Sequence, residues 1–149
     1  MFKKLTFMAA IFLWSCSKSP FGNPNVYLER ATIVGEMGMN RDTATAVDIV
    51  LVYDPELLKQ VITLTANDYF LKKNQLMKDN PNLINAVSFE MVPGQVIPDT
   101  AITLSKLNAE GAIIFANYTT PGDHRRVLGR QQTVLIRLGE ADFTILPEN

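Results

Sequence analysis

Apolar residues alternate with polar ones through most of this 149-residue chain, and this period of two constrains its fold more than any other feature. Residues 46–53 (AVDIVLVY) are rich in β-branched side chains and almost wholly apolar, with Val47, Ile49, Leu51 and Tyr53 on one face. A strand that is apolar on both faces lies in the middle of a sheet or beneath another element.

Further strand-like segments surround this one. They are residues 26–33, 86–92, 96–104, 112–118, 133–138 and 142–146. Pro98 places one of them at a sheet edge or a bulge, because proline has no amide hydrogen for a ladder. Turns are expected at Pro93-Gly94 and Pro121-Gly122, and residues 139–141 join the last two strands as a hairpin. About seven strands in this order predict a mainly β chain that forms a two-layer antiparallel β-sandwich.

A short helical insert interrupts the pattern between the second and third strands. Asp54-Pro55 places an N-cap aspartate before a proline at the first helical position, although the β-branched run that follows (VITLT) argues against a long helix there. Thr65 and Asp68 have the spacing of a capping box, ahead of apolar residues at helical spacing. Asn80-Pro81 ends the insert.

Residues 1–15 have the organisation of a bacterial lipoprotein signal peptide. Lys3 and Lys4 form a positive n-region, a largely apolar run follows, and Ser15 precedes the only cysteine, Cys16. The apolar run is much shorter than the roughly 20 residues that a membrane-spanning helix needs. A plain secretory signal is the alternative, but it would leave Cys16 as a lone thiol in an oxidising compartment. We therefore expect cleavage before Cys16 and a covalent lipid on its thiol.

The chain is thus divided into the signal peptide, an acylated cysteine with a flexible tether (residues 16–25) and a sandwich domain (residues 26–149). Ser17, in the place where aspartate would retain a lipoprotein at the inner membrane, resembles the sorting pattern of Gram-negative outer-membrane lipoproteins. Several acyl chains would hold the protein stably on the periplasmic face of that membrane. Cleavage removes two lysines and takes the formal net charge from −1 to −3, so no basic stripe remains to bind nucleic acid.

The titratable residues form no recognisable active-site motif. His124 is the only histidine, so a histidine-rich metal site is excluded, and no second cysteine complements it. We interpret it as a turn histidine at the start of a strand; the alternative is a tethered hydrolase in which His124 acts with Asp123 or Asp142 and a hydroxyl side chain. Gly35 and Gly38 lack the following helix that a nucleotide-binding loop needs. The sequence predicts no enzyme, metal, non-covalent cofactor or small-molecule substrate.

The segment that joins the first two strands is the best candidate for a binding surface. It comprises Gly35, Glu36, Met37, Gly38, Met39, Asn40, Arg41, Asp42 and Thr43. Methionine is an adaptable side chain that is often used at protein-binding surfaces. If Met37 and Met39 are exposed, the flanking Glu, Asn and Arg side chains would supply a polar rim. The alternative is that both methionines fold back onto the sandwich core.

Four stretches, in their order along the chain, resemble the outer-membrane lipoprotein of the type VI secretion system, the TssJ family. They are Cys16 with its tether and residues 25–28 (NVYL); residues 47–53 (VDIVLVY); residues 66–70 (ANDYF) leading through Leu76 to residues 92–95 (VPGQ); and residues 113–118 (IIFANY), followed by Arg125 and residues 143–147 (FTILP). The resemblance spans most of the chain that follows the predicted signal peptide.

This resemblance implies a transthyretin-like sandwich with a helical addition and a structural role. In that family the lipoprotein binds the periplasmic domain of an inner-membrane component, the TssM family, and anchors the membrane complex to the outer membrane. The loop between the first two strands makes that contact, which here is residues 35–43. The expected partners are therefore a TssM-family domain and outer-membrane lipid. The residues alone leave open a periplasmic lipoprotein that binds a small ligand or a subunit of another envelope assembly.

Overall fold

The computed structural model describes residue 26, residues 28–98 and residues 109–147. Within these ranges the elements are β1 Arg30–Gly35, β2 Thr45–Val52, α1 Pro55–Val61, α2 Ala66–Asp79, β3 Ile84–Met91, β4 Val96–Ile97, β5 Gly111–Ala116, β6 Arg125–Leu128, β7 Thr133–Leu138 and β8 Phe143–Pro147. The predicted signal peptide, Cys16 and Ser17 lie outside the described residues. Of the strand predicted at residues 96–104, the described part contains β4.

Two four-stranded sheets form the sandwich that the sequence predicts. Their strand orders are β4-β1-β7-β8 and β3-β2-β5-β6. Every described strand pair is antiparallel except β1 and β7, which run parallel, with Arg30 opposite Thr133 and Gly35 opposite Leu138. The antiparallel prediction therefore has one exception. A parallel pair is possible here because β1 and β7 are far apart in sequence and no hairpin fixes their relative direction.

The main core lies between the two sheets and is filled by the alternate, inward-facing side chains of their strands. Its fully buried members include Ile33, Met39, Val47, Ile49, Met91, Ile114, Ile136, Leu138 and Phe143. Because β2 and β5 are apolar on both faces, their opposite faces remain available for a second core.

Two helices cover that opposite face, and this confirms the predicted insert. The Asp54 carboxylate accepts a hydrogen bond of 2.7 Å from the backbone N–H of Leu57 and caps α1. The Thr65 hydroxyl accepts one of 3.1 Å from the N–H of Asp68 and caps α2. The β-branched run shortens α1 without preventing it, since the helix ends at Val61. Within the described residues, no helix combines the length and apolar character needed to cross a membrane.

Tyr69 of α2 is the centre of the second core and is fully buried. Its ring stacks on Phe115 of β5 with centroids 4.2 Å apart. Its hydroxyl donates to the buried carboxylate of Asp48 at 2.7 Å, and the Lys73 ammonium lies 2.7 Å from the same oxygen. Two donors thus stabilise a carboxylate that burial alone would destabilise, and they attach α2 to the middle of the sheet.

The first predicted strand begins too early. β1 starts at Arg30, and residue Val26 forms only an isolated bridge with Ala109. The ladder with β7 begins at Arg30 opposite Thr133, and before it Glu29 donates a single backbone hydrogen bond of 2.8 Å to the Gln132 carbonyl. The predicted final hairpin is confirmed as β7 and β8.

Candidate functional site

Four connections meet at one end of the sandwich because β1, β3, β5 and β7 all end there. We call it the loop end. It consists of the β1–β2 loop (residues 36–44), the β3–β4 turn (92–95), the β5–β6 loop (117–124) and the β7–β8 turn (139–142). Backbone hydrogen bonds join the β1–β2 loop, together with the last residue of β1 before it, to the neighbouring turns on both sides. Gly94 donates to the carbonyl of Gly35 at 3.0 Å, and Asn40 donates to that of Gly139 at 3.1 Å.

The two methionines of the β1–β2 loop have opposite environments. Met37 is 83% exposed, whereas Met39 is fully buried in the main core. Glycine at position 35 allows this packing, since a Cβ there would lie 2.6 Å from the Met39 sulfur and 2.9 Å from the Val92 carbonyl oxygen. Of the two alternatives that the sequence left open, exposure at the surface holds for Met37 and packing onto the sandwich core holds for Met39.

After Met39 the backbone is left-handed at three successive residues. The φ angles of Asn40, Arg41 and Asp42 are 46°, 55° and 60°. A residue with a side chain loses roughly 1–2 kcal/mol in this conformation, although Asn and Asp tolerate it better than most. Such a turn persists only where the surrounding structure fixes it.

The side chain of Asn40 supplies much of that restraint. It is fully buried. Its Nδ2 donates to Thr45 Oγ1 at 2.9 Å, and its Oδ1 accepts from the backbone N–H and the hydroxyl of Thr119 at 2.8 and 2.9 Å. Asn40 is therefore not part of the predicted polar rim; it locks the β1–β2 loop onto β2 and the β5–β6 loop.

The solvent-facing side of the loop presents an apolar tip with polar neighbours. Glu36 is partly exposed and pairs with Arg137 of β7 at 2.6 Å. The exposed residues that follow the buried pair are Arg41, Asp42, Thr43 and Ala44. The exposed Met37 side chain thus follows Glu36, whose charge is paired with that of Arg137. An exposed apolar side chain next to paired charges is suited to contact with a protein surface.

His124 lies in the neighbouring β5–β6 loop, directly before β6, where the sequence predicts a turn histidine. It is buried and has a φ of 43°. Its Nδ1 lies 3.0 Å from Asp142 Oδ1, its Nε2 lies 2.8 Å from the Thr120 carbonyl oxygen, and its ring stacks on Tyr118. Arg126 also reaches Asp142, at 2.6 Å.

This cluster brings together an acid, an imidazole and a hydroxyl, but their hydrogen bonds do not favour the hydrolase alternative. A carbonyl oxygen can only accept, so Nε2 donates to the Thr120 backbone. No lone pair on Nε2 then faces the Thr120 hydroxyl, which lies 3.4 Å away and donates to the Ala141 carbonyl at 2.7 Å. A nucleophile needs a neighbouring base that accepts its proton, and the histidine instead clamps the β5–β6 loop to the β7–β8 turn.

The electrostatics of the cluster agree with a structural role in which His124 and Asp142 join the β5–β6 loop to the β7–β8 turn. Partial burial raises the pKa of Asp142, but hydrogen bonds from His124 and Arg126 outweigh this effect, so the pKa lies below its usual value. Burial, and then the charge of Asp142, raise the pKa of Tyr118 far above its usual range. Tyr118 therefore stays a neutral phenol that donates to the Gly139 carbonyl at 3.1 Å.

Among the described residues, surface crevices that could admit small molecules occur at two places given by their lining side chains. One, of about 370 Å³, lies between β6 and β8; the other, of about 320 Å³, lies beside His124. Both are open to solvent, unlike the deep apolar pocket that the small-ligand alternative requires. No group of three metal-ligating side chains occurs in the described part of the chain.

Solved structures share this architecture. A type VI membrane complex matches with a TM-score of 0.60 and 16% identity, over 82% of this chain and 99% of that chain. The type VI secretion lipoprotein TssJ1 from Pseudomonas aeruginosa matches with a TM-score of 0.56 and 17% identity, over 85% and 98%. The chain has the fold of a TssJ lipoprotein.

A third match is a structure of the type VI secretion protein TssM C-terminal domain from EAEC, with a TM-score of 0.59 and 17% identity, over 79% of this chain and 99% of that chain. No protein-family model and no curated protein matches the sequence. The expected fold is therefore confirmed, while the resemblance in sequence is distant.

Sequence reasoning missed the residues that hold the β1–β2 loop. Thr119 is 79 positions from Asn40, and Arg137 is 101 positions from Glu36. A single threonine or arginine carries no signature of such a contact. One local signal was present, since Asn and Asp at positions 40 and 42 favour left-handed backbone.

Proposed function

We propose that this chain is a TssJ-family lipoprotein that joins the type VI secretion membrane complex to the outer membrane. Lipid on Cys16 anchors one end, with Ser17 directing the protein to the outer membrane. Residues 35–43 bind the periplasmic domain of a TssM-family inner-membrane component. The shared fold supports the role in the complex, and the match to a TssM structure supports the kind of partner. The protein acts by position and needs no catalytic step.

The observation that carries this proposal is the exposure of Met37 on a loop with a fixed conformation. The side chain is 83% exposed and belongs to neither core, so it is available for contact with a partner. The Asn40 hydrogen bonds and the backbone bonds to Gly94 and Gly139 hold the loop before any partner arrives. A preorganised surface loses little conformational entropy on binding.

The topology fits a link between two points. β1 runs from Arg30 to Gly35, so the chain enters this strand at the end opposite the loop end. A strand of six residues spans about 20 Å. With its lipid before β1, the protein would present residues 35–43 away from the anchored end, toward a partner in the periplasm.

Replacing Met37 with serine tests the binding site. We expect Met37→Ser to weaken the Kd for the purified TssM-family periplasmic domain by about tenfold or more, as for an interface hot spot, and to leave the unfolding midpoint unchanged. Isothermal titration calorimetry on the mature chain in detergent measures the affinity. Met39 is unsuitable for this test because its truncation would open a cavity in the core.

Leu71→Ser provides the matched control. Leu71 is 77% exposed on α2, which covers the outer face of the second sheet, so its replacement removes a similar apolar side chain from a surface other than the β1–β2 loop. Its Kd should equal that of the wild type. Equal affinities for all three proteins would refute the loop assignment, and no binding by the wild type would refute the partner.

Replacing Cys16 with serine tests the anchor separately. Without the thiol no acyl chain can be attached, so the protein should move from the outer-membrane fraction to the soluble periplasmic fraction. The soluble variant should still bind the partner domain with wild-type Kd, since residues 35–43 are unchanged. Retention in the membrane fraction would contradict lipid anchoring at Cys16.

A further inference from the structure

Three exposed apolar side chains surround the junction between the β1–β2 loop and the β3–β4 turn. Met37, Val92 and Val96 are 83%, 49% and 56% exposed, and we call them the apolar patch. Val92 opens the turn, and Val96 begins the edge strand β4. The other large exposed hydrophobic residues of the described chain lie on other elements, namely Leu71, Leu83, Val127 and Leu146.

Backbone contacts make this junction one rigid unit. Gly35 donates to the Gln95 carbonyl at 2.8 Å, and Gly94 donates back to the Gly35 carbonyl at 3.0 Å. The Gln95 side chain closes the turn by accepting from the N–H of Val92 at 3.0 Å. Met37 packs over the turn at Gly94, where a Cβ would lie 3.0 Å from the methionine sulfur.

Size indicates that Met37 does not bind a folded domain with its own loop alone. A specific interface between folded proteins uses about 800 Å² and roughly 20–30 residues on each partner. Residues 35–43 supply nine, of which Gly35, Met39 and Asn40 are buried. The interface must therefore include neighbouring elements, and the β3–β4 turn is the neighbour that continues the apolar surface.

We propose that Val92 and Val96 belong to the same partner-binding surface as Met37 and contact an apolar surface of the TssM-family periplasmic domain. This inference rests on the proposed function. The patch is bordered by the Glu36–Arg137 ion pair, so it presents an uncharged centre with a paired polar border. Its position at the loop end, opposite the start of β1, favours a periplasmic partner over the lipid surface to which the chain is anchored.

A double substitution, Val92→Thr with Val96→Thr, tests this surface. Threonine keeps the β-branched shape and the strand preference but adds a hydroxyl group that an apolar contact would leave unpaired. We expect the Kd for the partner domain to rise about tenfold, with an unchanged unfolding midpoint. The control is Val127→Thr on β6, which is 57% exposed, almost the same as Val96, and should leave the Kd unchanged.

The outcomes separate the two proposals. If the wild type binds and Met37→Ser weakens binding, but the double variant binds like the wild type, the extended surface is refuted and the proposed function stands. If the wild type does not bind, both are refuted. The extended surface is also refuted if the double variant leaves the Kd for the partner domain unchanged but removes another interaction of the wild type. That interaction would be a dimer seen in analytical ultracentrifugation or binding to phosphatidylethanolamine–phosphatidylglycerol vesicles.

Discussion

The helical side of the second sheet and the loop end are fixed by different kinds of contact. On the helical side the helix starts are set locally: Asp54 and Thr65 each cap a backbone N–H three residues further along. At the loop end the decisive bonds join residues far apart in sequence. Asn40 bonds to Thr119 across 79 positions, and Glu36 pairs with Arg137 across 101.

The two regions also differ in how far they follow local backbone preference. The caps place residues in their favoured conformations, whereas the β1–β2 loop holds Asn40, Arg41 and Asp42 in the left-handed region. Local caps can form in an otherwise unfolded chain, but the loop reaches its shape only when both sheets are assembled. The binding surface proposed for Met37 is therefore displayed only by a completely folded sandwich.

The largest effect is expected from Asn40→Ala at the loop end. The substitution removes the acceptor of two Thr119 hydrogen bonds and the donor to Thr45, and it places alanine in left-handed backbone. We expect the free energy of unfolding to fall by about 3 kcal/mol, from about 1 kcal/mol for each lost hydrogen bond. Urea denaturation followed by circular dichroism measures the change.

The counterpart on the helical side is Thr65→Ala, which removes one local cap from α2. Loss of such a cap lowers the free energy of unfolding by about 1 kcal/mol. The difference between the two variants measures how much more the loop end depends on distant contacts. If Asn40→Ala destabilised the protein no more than Thr65→Ala, the contrast between the two regions would be wrong.

The same contrast explains which parts of the fold could be predicted. Asp54-Pro55 and Thr65 are local signals, so the helical insert was predicted, and alternation over residues 133–146 predicted the final hairpin. The predicted start of β1 was wrong because Val26 alternates correctly with Leu28, yet the ladder with β7 begins only at Arg30 opposite Thr133. Pairing depends on the second strand, which a pattern within the first one does not contain.

The candidate site was predictable in position but not in detail. The glycines, charged residues and two methionines of residues 35–43 predicted a binding loop. In an irregular segment, however, no hydrophobic periodicity predicts which of Met37 and Met39 is buried. Their different burial follows from the close approach of Met39 to Gly35 and from the turn at Asn40. The conformation at Asn40 depends on hydrogen bonds from Thr119, which reaches this position only when β5 and the β5–β6 loop have folded.

A smaller change in the free energy of unfolding is expected from Asp142→Asn, and its dependence on pH tests whether a charge helps to stabilise the loop end. Burial raises the pKa of Asp142, but hydrogen bonds from His124 and Arg126 outweigh it and hold the pKa below the usual value of about 3.9. A carboxyl whose pKa is lowered by folding stabilises the protein above its unfolded-state pKa, and this stabilisation disappears as the pH falls through the folded-state pKa. The contribution should stay under about 1 kcal/mol, because the side chain is nearly half exposed.

The wild type should therefore be slightly more stable than Asp142→Asn at pH 5, and the difference in urea midpoint should shrink as the pH is lowered toward 2. Asp142→Asn removes only the titratable carboxyl group, so the pH dependence of the difference reports that group. A difference that stayed constant from pH 5 to pH 2 would mean that the charge of Asp142 does not hold the β5–β6 loop to the β7–β8 turn. The loop end would then depend on neutral hydrogen bonds such as those of Asn40, and its stability would not respond to acid through this carboxylate.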